Sequence, residues 1–178
     1  MPGTYVSAII RTLQTGRYPL QLRDYGAPTW NGVFSLPGGA VEKGETPSEA
    51  MFREIVEETD LLDRASPEEL TYSKMAEYDW ENDLHRIIDE IERAYPDIPS
   101  FSGGGGGLDR HEMEKLLEGR VSYSFFFQMR DEVVEGLELR EGRMSRLYSP
   151  EECMALVIAA DDRLSLLHHF AQKGLRFR

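Results

Sequence analysis

The stretch Gly38 to Asp60, GGAVEKGETPSEAMFREIVEETD, constrains the fold more than any other part of the chain. Thr46-Pro47-Ser48-Glu49 reads as a capping box, with Thr46 as N-cap, Pro47 at the first helical position and Glu49 at the third, so a helix starts there. At about 100° per residue, Glu57 lies near −60° and Glu58 near +40° from Glu54, so three carboxylates share an arc of about 100°. Phe52, Ile55, Val56 and Thr59 occupy the arc expected to pack on a sheet. Arg53 flanks the acidic arc. Like charges four residues apart repel by roughly 0.2–0.5 kcal/mol per pair, and one guanidinium cannot neutralise three carboxylates. A divalent cation can. Hard oxygen donors suit Mg²⁺ or Mn²⁺ rather than zinc. Upstream, Gly38-Gly39 lets the backbone come close to a metal or phosphate and can present a carbonyl. Glu42 and Glu45 place further carboxylates before the helix start, where the macrodipole favours negative charge. The plain alternative is a solvated acidic helix.

The flanking sequence reads as mixed α/β. Thr4–Leu13, Tyr18–Tyr25 and Asn31–Leu36 have strand character, the last ended by Pro37-Gly38-Gly39. Ser66-Pro67-Glu68-Glu69 and Ser149-Pro150-Glu151-Glu152 repeat the capping pattern and predict two more helix starts. Leu84, Ile87, Ile88, Ile91 and Tyr95 form one stripe of an amphipathic helix. Five consecutive glycines, Gly103–Gly107, cannot hold one backbone conformation unaided and read as a mobile loop, without the Lys-Ser/Thr of a P-loop. In Arg120–Arg130, Val121, Tyr123, Phe125, Phe127 and Met129 alternate with more polar neighbours, the period of a half-buried strand. Arg163–Lys173 reads as an amphipathic terminal helix, in which His168-His169 is surface or packing. Residues 80–118 look like an insertion between strands within one domain spanning 1–178.

Composition excludes several classes. With 178 residues and a formal net charge of −12, the chain repels phosphate backbones and anionic lipid, so neither a nucleic acid polymer nor a membrane surface is an expected partner. Cys153 is the single cysteine, which leaves no intramolecular disulfide and no cysteine-rich zinc site. No basic leader with a long apolar core opens the sequence, and a soluble, cytoplasmic protein is the default expectation.

The same glycine-to-aspartate stretch resembles the signature box of the Nudix hydrolases, in which Gly, five residues, Glu and seven residues precede Arg-Glu-apolar-any-Glu-Glu-any-Gly-apolar. Here Gly39, Glu45 and then Arg53-Glu54-Ile55-Val56-Glu57-Glu58-Thr59-Asp60-Leu61 fill it, with Asp60 in the place of the glycine. A glycine there would close the helix in a left-handed conformation that Asp tolerates less well, so a small stability cost or a modified helix end is expected. The resemblance implies an α/β/α sandwich with a mixed β-sheet and a partly helical insertion. It also implies Mg²⁺- or Mn²⁺-dependent hydrolysis of a nucleoside diphosphate linked to another group, water attacking phosphorus. By this likeness Glu54, Glu57 and Glu58 are metal ligands with the Gly38 carbonyl. Arg53 and Glu45 form an orienting pair, and Gly39 supports the site. The small-molecule substrate would be drawn in as a metal complex, which reconciles it with the acidic chain.

For the general base, Glu54 is one candidate. Glu132, Glu135, Glu138 and Glu141 in DEVVEGLELREGR are others, and Glu141 is favoured because the following RMSRLYSPEE resembles the closing strand and helix start of the fold. Trp30, Phe34, Tyr78 and Trp80 are candidates to stack on a base, core packing being the commoner fate. The 80–118 stretch is open to three roles: a cap over the site, an arm of a homodimer, or decoration. The competing class is a Nudix-like module that senses a nucleotide without cleaving it. A plain acidic interaction domain is the third reading.

Overall fold

The computed structural model describes residues 3–23, 32–96, 110–140 and 143–175. Its centre is a pair of ten-residue strands, β1 (Gly3–Thr12) and β6 (Arg120–Met129), paired in parallel from Gly3 opposite Arg120 to Thr12 opposite Met129. Antiparallel strands β4 (Gly38–Ala40) and β5 (Lys74–Asp79) flank them, giving a mixed sheet in the order β4-β1-β6-β5. A second, antiparallel sheet has the order β3-β2-β7, built from Phe34–Ser35, Tyr18–Leu22 and Arg143–Tyr148. Its central strand β2 carries Pro19, which cannot donate to a ladder, and the register shifts between Pro19 and Gln21.

Strand alternation sorts the core into two layers. Val6, Ala8 and Ile10 of β1 and Phe125, Phe127 and Met129 of β6 pack against Ala50, Met51 and Ile55 of α1 (Pro47–Glu58). Ile9 and Phe126 face the other way, onto α3 (Trp80–Ala94) and α7 (Ala160–Gln172). The result is the sandwich expected of the chain. Since β6 is central and covered on both faces, it departs from the half-buried pattern: Ser122 and Ser124 are buried, while Val121 and Tyr123 are only partly so.

The 84–95 stripe is buried at every expected position, Leu84, Ile87, Ile88, Ile91 and Tyr95. Short helix α4 (Arg110–Leu117) adds Met113 and Leu117 to the same cluster. The glycine run 103–107 lies outside the described residues. Thr46 and Ser149 each close a reciprocal capping box, opening α1 and α6 (Pro150–Ala155). Ser66 makes the same two bonds with Glu69, at 3.0 and 3.4 Å, yet only a turn follows. Residues 71–73 are Thr-Tyr-Ser, weaker helix formers, and Glu69 is drawn to Arg130 across the fold at 3.1 Å.

Helix α7 is less amphipathic than its sequence suggests, because Leu164 through Phe170 are all buried. His168 bonds Glu90 at 2.9 Å and Tyr78 at 3.3 Å. His169 stacks on Phe126 with centroids 4.7 Å apart. Burial, then the charges of Lys173, Lys74, Arg11 and His168, pushes the His169 imidazole down to about 4. The unfolded chain therefore takes up a proton below about pH 6.5 that the folded chain refuses until about pH 4. Across that window unfolding is favoured as pH falls. Replacing His169 with Phe is expected to reduce the loss of Tm between pH 7 and pH 5 relative to wild type, measured by thermal melts at each pH. Equal losses in both proteins would refute it.

Candidate active site

Helix α1 carries its carboxylates in a different orientation from the wheel. Met51, Glu54, Ile55 and Glu58 are buried, whereas Phe52 is 50% exposed and Val56 partly so. The buried arc is thus rotated so that Glu54 and Glu58 turn inward beside the apolar stripe, and Glu57, with 55% of its side chain exposed, stays outside. The reason lies upstream: β4 gives this side of the helix a polar wall to pack against.

Gly38 and Gly39 make that wall possible. Gly38 has φ +149°, a conformation L side chains rarely adopt, and a β-carbon there would overlap the Val6 carbonyl oxygen. Its N–H donates to Glu58 Oε2 at 2.7 Å. Ala8 N–H donates to the Pro37 carbonyl and Val41 N–H to the Thr4 carbonyl. These bonds make Ser7 and Gly38 a non-hydrogen-bonded pair, so the Gly38 carbonyl is not used by β1. A β-carbon on Gly39 would overlap Glu54 Oε1 and lie 2.6 Å from its Cδ.

Arg53 ties the arrangement together. Its Nε and Nη2 grip both oxygens of Glu45 at 2.8 and 3.1 Å. Nη1 donates to Glu54 at 2.8 Å and Glu57 at 3.0 Å, and Nη2 also reaches the Ala40 carbonyl at 2.8 Å. Its basicity is raised by Glu45 first and by Glu54 and Glu57 next, against the effect of burial. Hydrogen bonds from Arg53 and from the Glu42 backbone hold Glu45 below the usual carboxylate range. Arg53 and Glu45 form an ion pair, joined by two of the three glutamates.

The three glutamates are not drawn to one point. Among the described residues no three acidic, His or Cys side chains converge as a metal site would require. Glu57 meets Arg53 through Oε2 alone. Glu54, Glu58 and the Gly38 backbone do line one cleft of about 370 Å³, and all of these donors are oxygen. That chemistry fits a hard divalent cation.

The cleft, and the groups that touch its lining residues, include positions outside the motif. Gln21 Nε2 stands 3.5 Å from both oxygens of Glu58. Arg120, Asp161, Asp162 and Tyr5 line the wall away from α1. Leu36 N–H donates to Asp162 at 3.1 Å. Burial first, then the Asp161 charge, pushes the Asp162 carboxyl well above its usual range; the Leu36 N–H and Arg23 oppose this, and Glu58 adds to it. Only the adjacent acids Asp161-Asp162 at a helix start could have marked this wall in the sequence.

Asp60 needs no left-handed turn. Thr59 ends the helix in extended backbone and Asp60 has φ −95°. Burial pushes the Asp60 carboxyl up, but Arg64 and the Glu138 N–H outweigh it and leave it lowered. The helix end is modified, and Asp60 gains two partners there. The segment after α5 (Asp131–Glu135) runs along the same end, where Arg140 N–H donates to the Glu58 carbonyl at 2.8 Å. Glu141 itself lies outside the described residues, as does Trp30. Glu132 pairs with Arg130 at 3.2 Å. Tyr78 and Trp80 stack on each other, 4.9 Å apart, and Trp80 Nε1 donates to Ser122 at 2.9 Å, so both are core residues. Phe34 packs edge-on against Tyr148.

The family model of the NUDIX domain matches residues 1–161. No curated protein matches the chain. Among solved structures, the MutT protein of Methanosarcina mazei is similar over 98% of this chain and 97% of that one, at 17% identity and a TM-score of 0.55. The NUDIX domain of Shewanella oneidensis NrtR, complexed with ADP ribose, is similar over 97% of this chain and 89% of that one, at 12% identity and a TM-score of 0.56. A bifunctional NMN adenylyltransferase/ADP ribose pyrophosphatase from Francisella tularensis matches 98% of this chain at 16% identity and a TM-score of 0.53, but the chain spans only 42% of its length. At such identities the likeness is one of fold. Because the matched span runs from β1 through the carboxylate helix to the start of α7, the whole layered fold and not the glutamate helix alone is shared, and the chain belongs to the NUDIX domain family.

Proposed function

We propose that this protein is a metal-dependent pyrophosphohydrolase that cleaves a nucleoside diphosphate linked to another group. The observation that carries the reading is the Arg53 clamp, which holds Glu45, Glu54 and Glu57 together beside a cleft into which Glu54 and Glu58 turn. Glu54, Glu57, Glu58 and the Gly38 carbonyl would hold Mg²⁺ or Mn²⁺. Such a cation, when bound, supplies charge neutralisation for the diphosphate and a lowered pKa for water. A manganese ion and AMP accompany the Francisella enzyme in one of its structures, which supports a divalent ion without choosing between the two. Arg53 and Glu45 orient the ligands, and Gly39 gives Glu54 its room. Glu141 is the proposed general base, one residue beyond Arg140, which is anchored to the C-terminal end of α1; Glu54 is the alternative. We take residues 1–178 as one domain, to whose core the described parts of 80–118, α3 and α4, contribute. No described helix is long and apolar enough to cross a membrane.

The test is product release from dinucleoside polyphosphates, sugar nucleotides, ADP-ribose and nucleoside triphosphates, each with Mg²⁺, Mn²⁺ or chelator. Turnover of at least one compound that chelator abolishes is the expected result. No turnover anywhere, with thermal stabilisation by one ligand, would replace the hydrolase by a sensing module.

A further inference from the structure

We propose that Arg120 selects the nucleobase, its guanidinium donating to a carbonyl oxygen or ring nitrogen of the base. This inference rests on the reading of the cleft as a nucleotide site.

Arg120 stands at the first position of β6, opposite Gly3, and is only 6% exposed. It lines the same cleft as Glu54 and Glu58, on the wall away from α1. Its Nη1 reaches Asp161 at 3.3 Å, and its guanidinium carbon lies 4.9 Å from the centre of the Tyr5 ring. Its Nε has no hydrogen-bond partner. A buried donor without an acceptor is costly, and folded proteins rarely keep one. That nitrogen is closed to solvent as the side chain stands, while the side chain itself lines the cleft, so a turn of the guanidinium toward the cleft would let an acceptor on a ligand complete it.

The surroundings decide what kind of acceptor. A phosphate brought to this guanidinium would lie beside the Asp161 carboxylate already paired with it and would be repelled. An uncharged heterocycle meets no such repulsion, and the guanidinium, itself over the Tyr5 ring, has a flat face of the kind on which bases stack. The phosphate end of the ligand is then left to Gly38, Glu54 and Glu58 through their cation. A planar guanidinium also discriminates between bases, since their carbonyl and ring-nitrogen acceptors differ in position.

The experiment measures binding of AMP, GMP, CMP, UMP and ribose 5-phosphate to wild type, Arg120→Lys and Arg120→Met by calorimetry in Mg²⁺. Wild type is expected to prefer at least one nucleotide over ribose 5-phosphate by about tenfold or more. Both variants should lose most of that preference while binding ribose 5-phosphate as wild type does. Arg120→Lys keeps the charge beside Asp161, so it carries the comparison if Arg120→Met does not fold in a thermal melt. No preference in wild type, a preference retained in the variants, or an equal weakening of ribose 5-phosphate would each overturn the proposal. Because binding is the readout, a silent hydrolysis panel does not bear on Arg120. Conversely, intact turnover with an unchanged preference would remove only the role of Arg120.

Discussion

Glu58→Gln is expected to lower metal-dependent turnover by more than the roughly 10–100-fold that losing an outer-shell partner of a metal costs, with little change in stability. Glu58 is 7% exposed, faces the cleft and accepts from the Gly38 N–H at 2.7 Å. The glutamine has nearly the same shape, and its amide oxygen can still accept from Gly38. What it loses is the negative charge a divalent cation needs. The measurement is kcat/KM on the best substrate of the panel, alongside a thermal melt in which Tm should move by no more than about 2–4 °C. Unchanged turnover would remove Glu58 from the metal set.

The two adjacent glycines should separate stability from chemistry. Gly38→Ala places a β-carbon into the Val6 carbonyl at φ +149°, and neither backbone can yield. Left-handed strain of about 1–2 kcal/mol and overpacking of about 1–3 kcal/mol predict a fall in Tm on the order of 10 °C. Gly39→Ala instead strikes the end of a side chain, the Glu54 carboxylate, which can move aside. Moving it breaks the 2.8 Å bond to Arg53. Turnover should then fall by roughly 10–100-fold, with a smaller loss of Tm than Gly38→Ala shows. Equal effects of the two substitutions on both readouts would refute the distinction.

How much was legible depended on the range of the interaction. The capping boxes at Thr46 and Ser149 and the stripe from Leu84 to Tyr95 are local, and all three appear where the residues predicted. The box at Ser66 made its local bonds and still produced no helix, because Glu69 also answers to Arg130, a contact 61 residues away. The arc of glutamates was visible on a helical wheel. Which of them turn inward was not, since that depends on β4 presenting the Gly38 N–H to Glu58. Arg120, Tyr5 and Gln21 carried no signal because the distance that matters separates different strands and sheets.

By itself the sequence determined the helix and its start, the glycine turn before it, the Arg53–Glu45 pairing implied by the box, and the family. These follow from spacing along one chain segment, where covalent geometry limits the outcomes. Only the tertiary structure decided that β6 is buried on both faces, that Glu57 rests on Arg53 while Glu54 and Glu58 line the cleft, and that Arg120 and Asp161 complete its far wall. Those features depend on which surfaces the packed layers bring within hydrogen-bonding distance, and no residue-by-residue preference encodes that.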